Sequence, residues 1–408
     1  GLLYSTITAY LGFSVNNSEY KVMGLAAYGN MNKDQNEYYK KLMEIMQVKE
    51  DGSFAIDLSY VTYHYKDRMP SKKLVKLLGN PIRKPNEPVL QFHKDVAAAI
   101  QLVCEELMNK ILNYAHKKMP NEALVIAGGV ALNSVYNAKI LKTTPFKKLW
   151  IQPNATDGGN AIGCALYTHH TLLNNKTRVQ QTTAYLGPAY TNEEIKNFLD
   201  ENSITYTTLD EHTLVDKVAN LIHNNNVIGW FEGRMEWGPR ALGSRSILSN
   251  ATNPNMQELL NVKVKHRETF RPFAPVVCAD DAATYFDIDQ PIPTPTDYML
   301  MVYPIQKEYH KIIPSVTHVD GSGRLQTVHR DQNPLYYDLI KSFGKLSGVP
   351  ILINTSFNIR GEPIVCTPED AYRCMMGTGI DYVILGNYLV ARADNPKDMW
   401  DSEKLAKD

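Results

Sequence analysis

The sequence predicts an α/β fold in its first part and an α+β arrangement in its second. Three observations predict it. The stretch Phe92 to Met119 places apolar residues at 92, 96, 99, 100, 103, 107, 111 and 115, a 3.6-residue period that marks one face of a long helix. After it, strand-like and helix-like segments alternate around glycine turns, the order in which parallel sheets are wound. Beyond a polar stretch, Asn174 to Thr183, the alternation becomes irregular, which favours α+β over a doubly wound sheet.

Taken in order, residues 2–12 read as a helix, and Ser18 to Gly29 as a turn into a short helix ending at glycine. After the long helix, Leu124-Val-Ile-Ala reads as a buried strand that ends at Gly128-Gly129. A helix from about Val130 to Leu141, a strand Lys148–Ile151, a loop Gln152–Thr156 and a helix starting at Asp157 follow. In the second region a helix is expected at Asn192–Glu201. Strands are expected at Val227–Phe231, Pro275–Cys278, Tyr298–Tyr303, Val349–Ile353 and Tyr382–Leu385, and helices at Asn255–Val264, Pro334–Ser347 and Pro368–Met376. The domains run 1–178 and 184–394, with a charged tail at 395–408.

Composition narrows the function classes. The 408 residues are 44% hydrophobic and 21% charged, ordinary for a globular protein able to bury a core without staples. The net charge of +0 argues against a general nucleic-acid or membrane-surface binder. Five scattered cysteines without a C-x-x-C pair fit a reducing, cytoplasmic setting. No apolar run approaches the ~18 residues of a membrane span. Phosphate-loop, nucleophile-elbow and zinc-peptidase motifs are also missing from the sequence.

Against that neutral background stands Gly233 to Ser246, GRMEWGPRALGSRS, where Arg234, Arg240 and Arg245 are interleaved with three glycines. Glycine and proline break helices and strands, so the mixture suits a loop whose backbone approaches an anion while arginines supply planar forks. A solvated basic loop is the competing reading. A second cluster, Lys263, Lys265, Arg267 and Arg271, suggests the opposite wall of one polyanion pocket, or a charge cluster at a helix C-terminus.

Four further groups stand out. Gly128 and Gly129 sit between strand and helix, where backbone N–H groups cradle phosphates or merely make a tight turn, with Asn133 one turn on. Asp157 is either a helix cap or a carboxylate facing a metal or phosphate. Asn354, Ser356 and Asn358 offer hydrogen bonds from alternate positions, or form an ordinary polar turn. His318, Asp320, His329 and Arg330 add titratable and charged groups.

The segments EYKVMGLAAYG, AGGVALN, IQPNATDGGNAIG, GRMEWGPRALGSRS, KHRETFRPFAPVV, VTHVDGSGRLQTVHR and INTSFNIRGEPIV, in this order, resemble the NodU/CmcH O-carbamoyltransferases. The resemblance implies a partial actin/sugar-kinase-like (ASKHA) transfer domain followed by a YrdC-like α/β domain. Carbamoyl phosphate and ATP, with Mg2+, would give carbamoyl-adenylate in the second domain. The first would pass the carbamoyl group to a hydroxyl of a small-molecule or glycan acceptor. By the same resemblance Arg240, Arg245, Lys265 and Arg271 would bind carbamoyl phosphate and the ATP phosphates, and Arg330, Asn354, Ser356 and Asn358 would line that pocket. Gly128, Gly129 and Asn133 would contact the adenylate, Glu19 its ribose, and Asp157 a transfer-site iron. A homodimer is a family expectation. That family's first domain opens upstream with further strands and a His-rich metal motif. No histidine precedes His64, so upstream residues are expected to be absent here or supplied by another chain. A tRNA threonylcarbamoyl-type modifier and a non-catalytic nucleotide-binding regulator are the alternatives.

Overall fold

The computed structural model describes residues 1–395 apart from Val179, Thr269 and Arg360. The charged tail expected at 395–408 therefore lies outside the described residues, except Asn395. The chain divides into two compact units, residues 1–125 with 129–150, and 126–128 with the chain from 151 onward. Residues 151–178, read from sequence with the first domain, group with the second unit.

The first unit contains α1 (Leu2–Tyr10), α2 (Glu19–Ala26), α3 (Glu37–Glu44), β1 (Met46–Val48), β2 (Phe54–Ile56), α4 (Lys72–Leu78), α5 (Gln91–Lys118), β3 (Ala123–Ile126), α6 (Ser134–Thr143) and β4 (Lys148–Ile151). Helix α5 is its axis. Val96, Ala99, Ile100 and Val103 are buried against α1, α2 and α3, as the helical period requires. Strands β1 and β2 form an antiparallel pair, and β3 and β4 a second two-stranded sheet. Helix α6 starts at Ser134, later than the sequence suggests. Residues Gly129–Leu132 make a 3-10 turn first, and Asn133 then caps the helix by accepting from the Tyr136 amide.

The second unit is built on a nine-stranded mixed sheet. Its elements are α7 (Asn160–Tyr167), α8 (Asn192–Glu201), β5 (Thr207–Thr208), α9 (Glu211–His223), β6 (Ile228–Phe231), β7 (Arg245–Asn250), α10 (Met256–Leu259), β8 (Ala274–Cys278), α11 (Ala282–Tyr285), β9 (Met301–Pro304), β10 (Ser322–Val328), α12 (Pro334–Ser347), β11 (Ile351–Ser356), α13 (Pro368–Met376), β12 (Tyr382–Leu385) and β13 (Tyr388–Ala391). The strand order is β5-β13-β12-β6-β7-β11-β8-β10-β9, with β12–β6 and β8–β10 parallel. Leu214, Val218 and Ile222 of α9 and Tyr336, Ile340 and Phe343 of α12 close the core over Trp230, Leu248, Val276 and Leu352. Among the described residues, no helix is long and apolar enough to cross a membrane.

Several elements differ from expectation. Strand β7 begins inside the arginine-glycine segment, which the sequence reads as loop throughout. The 255–264 helix is split into α10 and a π-helical stretch, Leu260–Val264. The strand expected from Tyr298 starts only at Met301, because a 3-10 turn over Thr294–Tyr298 ends in left-handed Met299. A 3-10 turn, Asp157–Gly159, also precedes α7.

Topology sets the position of the motifs. Strand β11 lies between β7 and β8 and runs against both, pairing Ser356 with Ser246 and Asn354 with Ala274. Its carboxyl end therefore meets the amino ends of its neighbours. The segments before β7, before β8 and after β11 consequently hang from one end of the central sheet. Those are the GRMEWGPRALGS, KHRETFRPF and FNIRGEP segments.

Candidate functional site

A single buried carboxylate shapes the arginine-glycine loop. Glu236 Oε1 accepts backbone N–H bonds from Leu242 (2.7 Å), Ser244 (2.7 Å) and Arg245 (3.1 Å). From the other side Asn354 Nδ2 donates to the Ala241 carbonyl at 3.2 Å. Gln326 Nε2 (2.7 Å) and the Tyr185 hydroxyl (2.9 Å) donate to Leu242 O, and Trp230 Nε1 donates to Gly243 O (3.0 Å). The amide of Gly243 goes to Ser246 Oγ at 3.0 Å. Amides and carbonyls of this run are thus used within the protein. The glycine at 243 answers packing. Gly243, at φ +108°, sits so close to Tyr336 that a Cβ would lie 2.3 Å from the ring.

The arginines separate by role. Arg245 is fully buried, its guanidinium 3.5 Å from the centre of the Phe231 ring. It donates to the carbonyls of Glu232 (3.2 Å), Gly233 (3.2 Å), Ser244 (3.0 Å) and Pro188 (3.3 Å). Both terminal nitrogens are thus engaged, while buried Nε has no partner among the described residues, and these bonds with the Phe231 stack are what let arginine open a central strand. Exposed Arg234 donates to Gly187 O and Leu186 O at 3.1 and 3.0 Å. Arg240 is half-buried between Gly238 and Ala241.

The second cluster closes on β11. Lys265, 4% exposed, points its ammonium at the carbonyl of Ser356, at Asn358 Oδ1 (2.9 Å) and Asn358 O (3.1 Å), with Ser356 Oγ at 3.3 Å. Ser356 Oγ donates to Asn358 Oδ1 at 2.7 Å, and Asn358 Nδ2 to Glu362 O at 2.7 Å. Burial, reinforced by the charges of Arg267 and Arg271, pushes the Lys265 ammonium down to about 7. Arg271 is buried and ion-paired with Glu268 at 3.0 Å. Arg267 donates to Asn261 Oδ1 at 2.7 Å and lies over the Phe273 ring. Lys265, Ser356 and Asn358 are therefore brought together, with Arg267 and Arg271 electrostatically linked to the lysine.

Other candidates fall elsewhere. Arg330 follows β10, which runs parallel to β8, so it lies past the opposite end of the sheet from Lys265. It is 64% exposed and paired with Asp338. Beside it in sequence, His329 stands 3.2 Å from buried Asp297, which also accepts from Thr327 Oγ1 at 2.5 Å. The hydrogen bond to Asp297 raises the His329 imidazole. Asp297, Tyr185 and Asn333 border a narrow cleft with room for little more than a water molecule, about 10 Å³.

In the first unit, Glu19 accepts from Ser5 Oγ (2.6 Å) and the Asn16 amide (3.0 Å). Asn133 pairs amide to amide with Gln101 and caps α6. Gly129, also of the first unit, is exposed and has open space where a Cβ would stand. In the second unit, exposed Gly128, at φ +95°, donates its amide to Ala155 O at 2.7 Å. Asp157 is exposed, and no side-chain cap is made at the turn it opens. No group of three His, Cys, Asp or Glu side chains able to hold a metal occurs among the described residues. The side chains present thus do not by themselves fit an iron at Asp157.

Family models for the carbamoyltransferase N-terminus and the carbamoyltransferase C-terminus match residues 1–166 and 219–392. Nodulation protein NolO of Bradyrhizobium diazoefficiens is 34% identical over 100% of this chain and 71% of its own length. The chain belongs to the NodU/CmcH carbamoyltransferase family. A protein of Synechocystis sp., sll1178, is 43% identical over 97% of this carbamoyltransferase chain and 68% of its own length. Nodulation protein U of Rhizobium tropici is 37% identical over 64% of the chain and 42% of its own. Two residues of the candidate site in this carbamoyltransferase chain escaped sequence reading. Glu236 is not singled out by the sequence, and Arg267 stands only as one of a basic run. Neither the three amides gathered by Glu236 nor the Asn261 partner of Arg267 follows a local spacing rule.

Proposed function

We propose that this carbamoyltransferase chain is an ATP-dependent O-carbamoyltransferase using carbamoyl phosphate, with a YrdC-like adenylation site in the second unit and an ASKHA-type transfer site in the first. The supporting observation is the buried Lys265 ammonium, held by the Ser356–Asn358 segment where three motif segments leave one end of the sheet. A desolvated cation beside Arg267 and Arg271 suits a phosphate-bearing ligand, and the neighbouring loop adds exposed Arg234 and half-buried Arg240.

In this reading carbamoyl phosphate gives up phosphate to water. The carbamate oxygen then attacks the α-phosphorus of ATP, and pyrophosphate leaves. Transfer next moves the carbonyl carbon to an acceptor hydroxyl, which loses its proton as AMP departs. Lys265 and the arginines hold phosphate oxygens and offset charge on the leaving group. Arg245 and Glu236 act by positioning the loop. Incubation with labelled carbamoyl phosphate and ATP tests the reading. Pyrophosphate release that is abolished by Lys265→Ala is expected, and an intact protein that releases none refutes it. Release that depends instead on threonine and bicarbonate points to the tRNA-type reaction.

A further inference from the structure

The neutral total of this chain hides an uneven distribution. Between Val61 and Asn86 stand seven lysines and arginines against one acid, Asp67, while the whole chain has a net charge of +0. The run belongs to the first unit, whereas the basic clusters described above belong to the second. Its backbone is well tied. An antiparallel bridge joins Val61 to Pro70. Inside it the Thr62 amide donates to Met69 O at 2.9 Å, and Thr62 O accepts from the amides of Tyr65 (3.0 Å) and Lys66 (2.9 Å). The loop 62–69 is thus closed at its base, and its tip, His64, Tyr65, Lys66, Asp67 and Arg68, is exposed throughout. The Ser71 amide donates to Tyr60 O at 3.1 Å, and Ser71 caps α4, which ties that helix to the 3-10 turn Leu58–Tyr60. Leu74 and Leu78 of α4 are buried, so Lys72, Lys73 and Lys76 face solvent.

Two properties set this face apart from an ordinary solvated one. Its charge is unmatched: Lys73 pairs with Asp57 at 3.3 Å, but Lys66, Arg68, Lys72 and Lys76 have no carboxylate partner among the described residues. Lys72 and Lys76, four apart on one helix, repel each other. Apolar surface stands beside the cations as well, since Tyr65 is 60% and Leu58 52% exposed. The aromatic rings are already engaged. Lys73 Nζ lies 4.0 Å from the centre of the Tyr60 ring and Lys66 Nζ 5.2 Å from that of Tyr65, which His64 also meets edge-on at 4.7 Å. Rings occupied in this way offer bases little free face for stacking, so the arrangement favours a lipid surface over a nucleic-acid strand. Cations suit headgroup phosphates, and tyrosine suits the boundary between polar and apolar layers.

We propose that this face of the first unit, the 62–69 loop with α4, docks on an anionic membrane surface. The net charge of +0 argues against binding through the whole surface, not through one face. Each cation held near an anionic bilayer adds attraction, while Tyr65 and Leu58 enter the interface. The assignment does not depend on the adenylation reading.

The test is sedimentation of the full chain with phosphatidylcholine vesicles, made with and without phosphatidylglycerol. Wild-type protein should sediment with the anionic vesicles alone, and less so as salt shortens the screening length. The triple variant Lys66→Gln/Lys72→Gln/Lys76→Gln should bind about 100-fold more weakly, at about 5-fold per cation. These lysines are exposed, and Lys73, bonded to Asp57 and Ser59, stays in place, so the fold is kept. Lys117→Gln/Lys147→Gln/Lys148→Gln removes three exposed cations elsewhere in the same unit and should bind as wild type. Absence of sedimentation with anionic vesicles at low salt overturns the proposal, as does an equal loss in the two triple variants. Tighter wild-type binding to a single-stranded oligonucleotide than to the vesicles, lost in the first variant, assigns the face to nucleic acid and overturns it too.

Discussion

Replacing Glu236 with alanine should cost the second unit far more than an exposed loop carboxylate would. One oxygen of this side chain, 4% exposed overall, receives the amides of Leu242, Ser244 and Arg245 within 3.1 Å. Removing it leaves three N–H groups of a buried loop without that acceptor. At about 1 kcal/mol each as a floor, the loss is about 3 kcal/mol, and relaxation of the loop limits how far it rises. For a unit of this size that lowers the melting midpoint by about 6–12 °C. Glu236→Gln keeps an acceptor oxygen and should cost about 1–2 kcal/mol, since hydrogen bonds to a charged acceptor are the stronger kind. Chemical denaturation reads the free energies. Amide hydrogen exchange reads the cause, because Leu242, Ser244 and Arg245 should lose protection first in the alanine variant. An alanine variant within 1 kcal/mol of wild type, with those amides still protected, refutes the loop-organising role.

Other expectations follow from the same geometry. Gly243→Ala should destabilise by about 2 kcal/mol or more, because the methyl meets the Tyr336 ring at a positive φ; calorimetric melting checks it. Arg245→Lys should lose about 2–4 kcal/mol, since an ammonium cannot serve four carbonyls in the plane of a fork while stacking on Phe231. The depressed Lys265 ammonium means that the unfolded chain binds the extra proton between about pH 7 and its ordinary value. Stability should therefore rise with pH across that window, by of order 1 kcal/mol per unit, and Lys265→Met should flatten the rise in denaturation curves. Arg330→Ala should leave pyrophosphate release and stability within error, because its side chain is 64% exposed beyond the far end of the sheet.

Legibility from sequence followed locality. The long helix was expected over 92–119 and spans Gln91–Lys118, because its 3.6-residue period is written in consecutive turns. Lys148–Ile151, Asn192–Glu201 and Tyr382–Leu385 also fall where their apolar patterns and caps place them; Thr191 and Glu194 form a reciprocal cap. Strand β7 was hidden because its first residue is an arginine, satisfied by carbonyls up to 57 residues away in sequence. Helix α9 and strand β10 were also passed over. At the site, the residue types of the basic clusters and of Asn354, Ser356 and Asn358 were readable. Which arginine is buried, which is exposed, and which end of the sheet holds Arg330 were not, because strand direction decides them.

In its charged form, Lys265 has its three protons already committed to oxygens of the Ser356–Asn358 segment. A phosphate arriving there exchanges one good contact for another, so the net gain per bond is small even though the bonds are strong. Under the proposed adenylation reaction, an anion seated there would gain little per bond and leave readily, which would suit a station that passes its product onward.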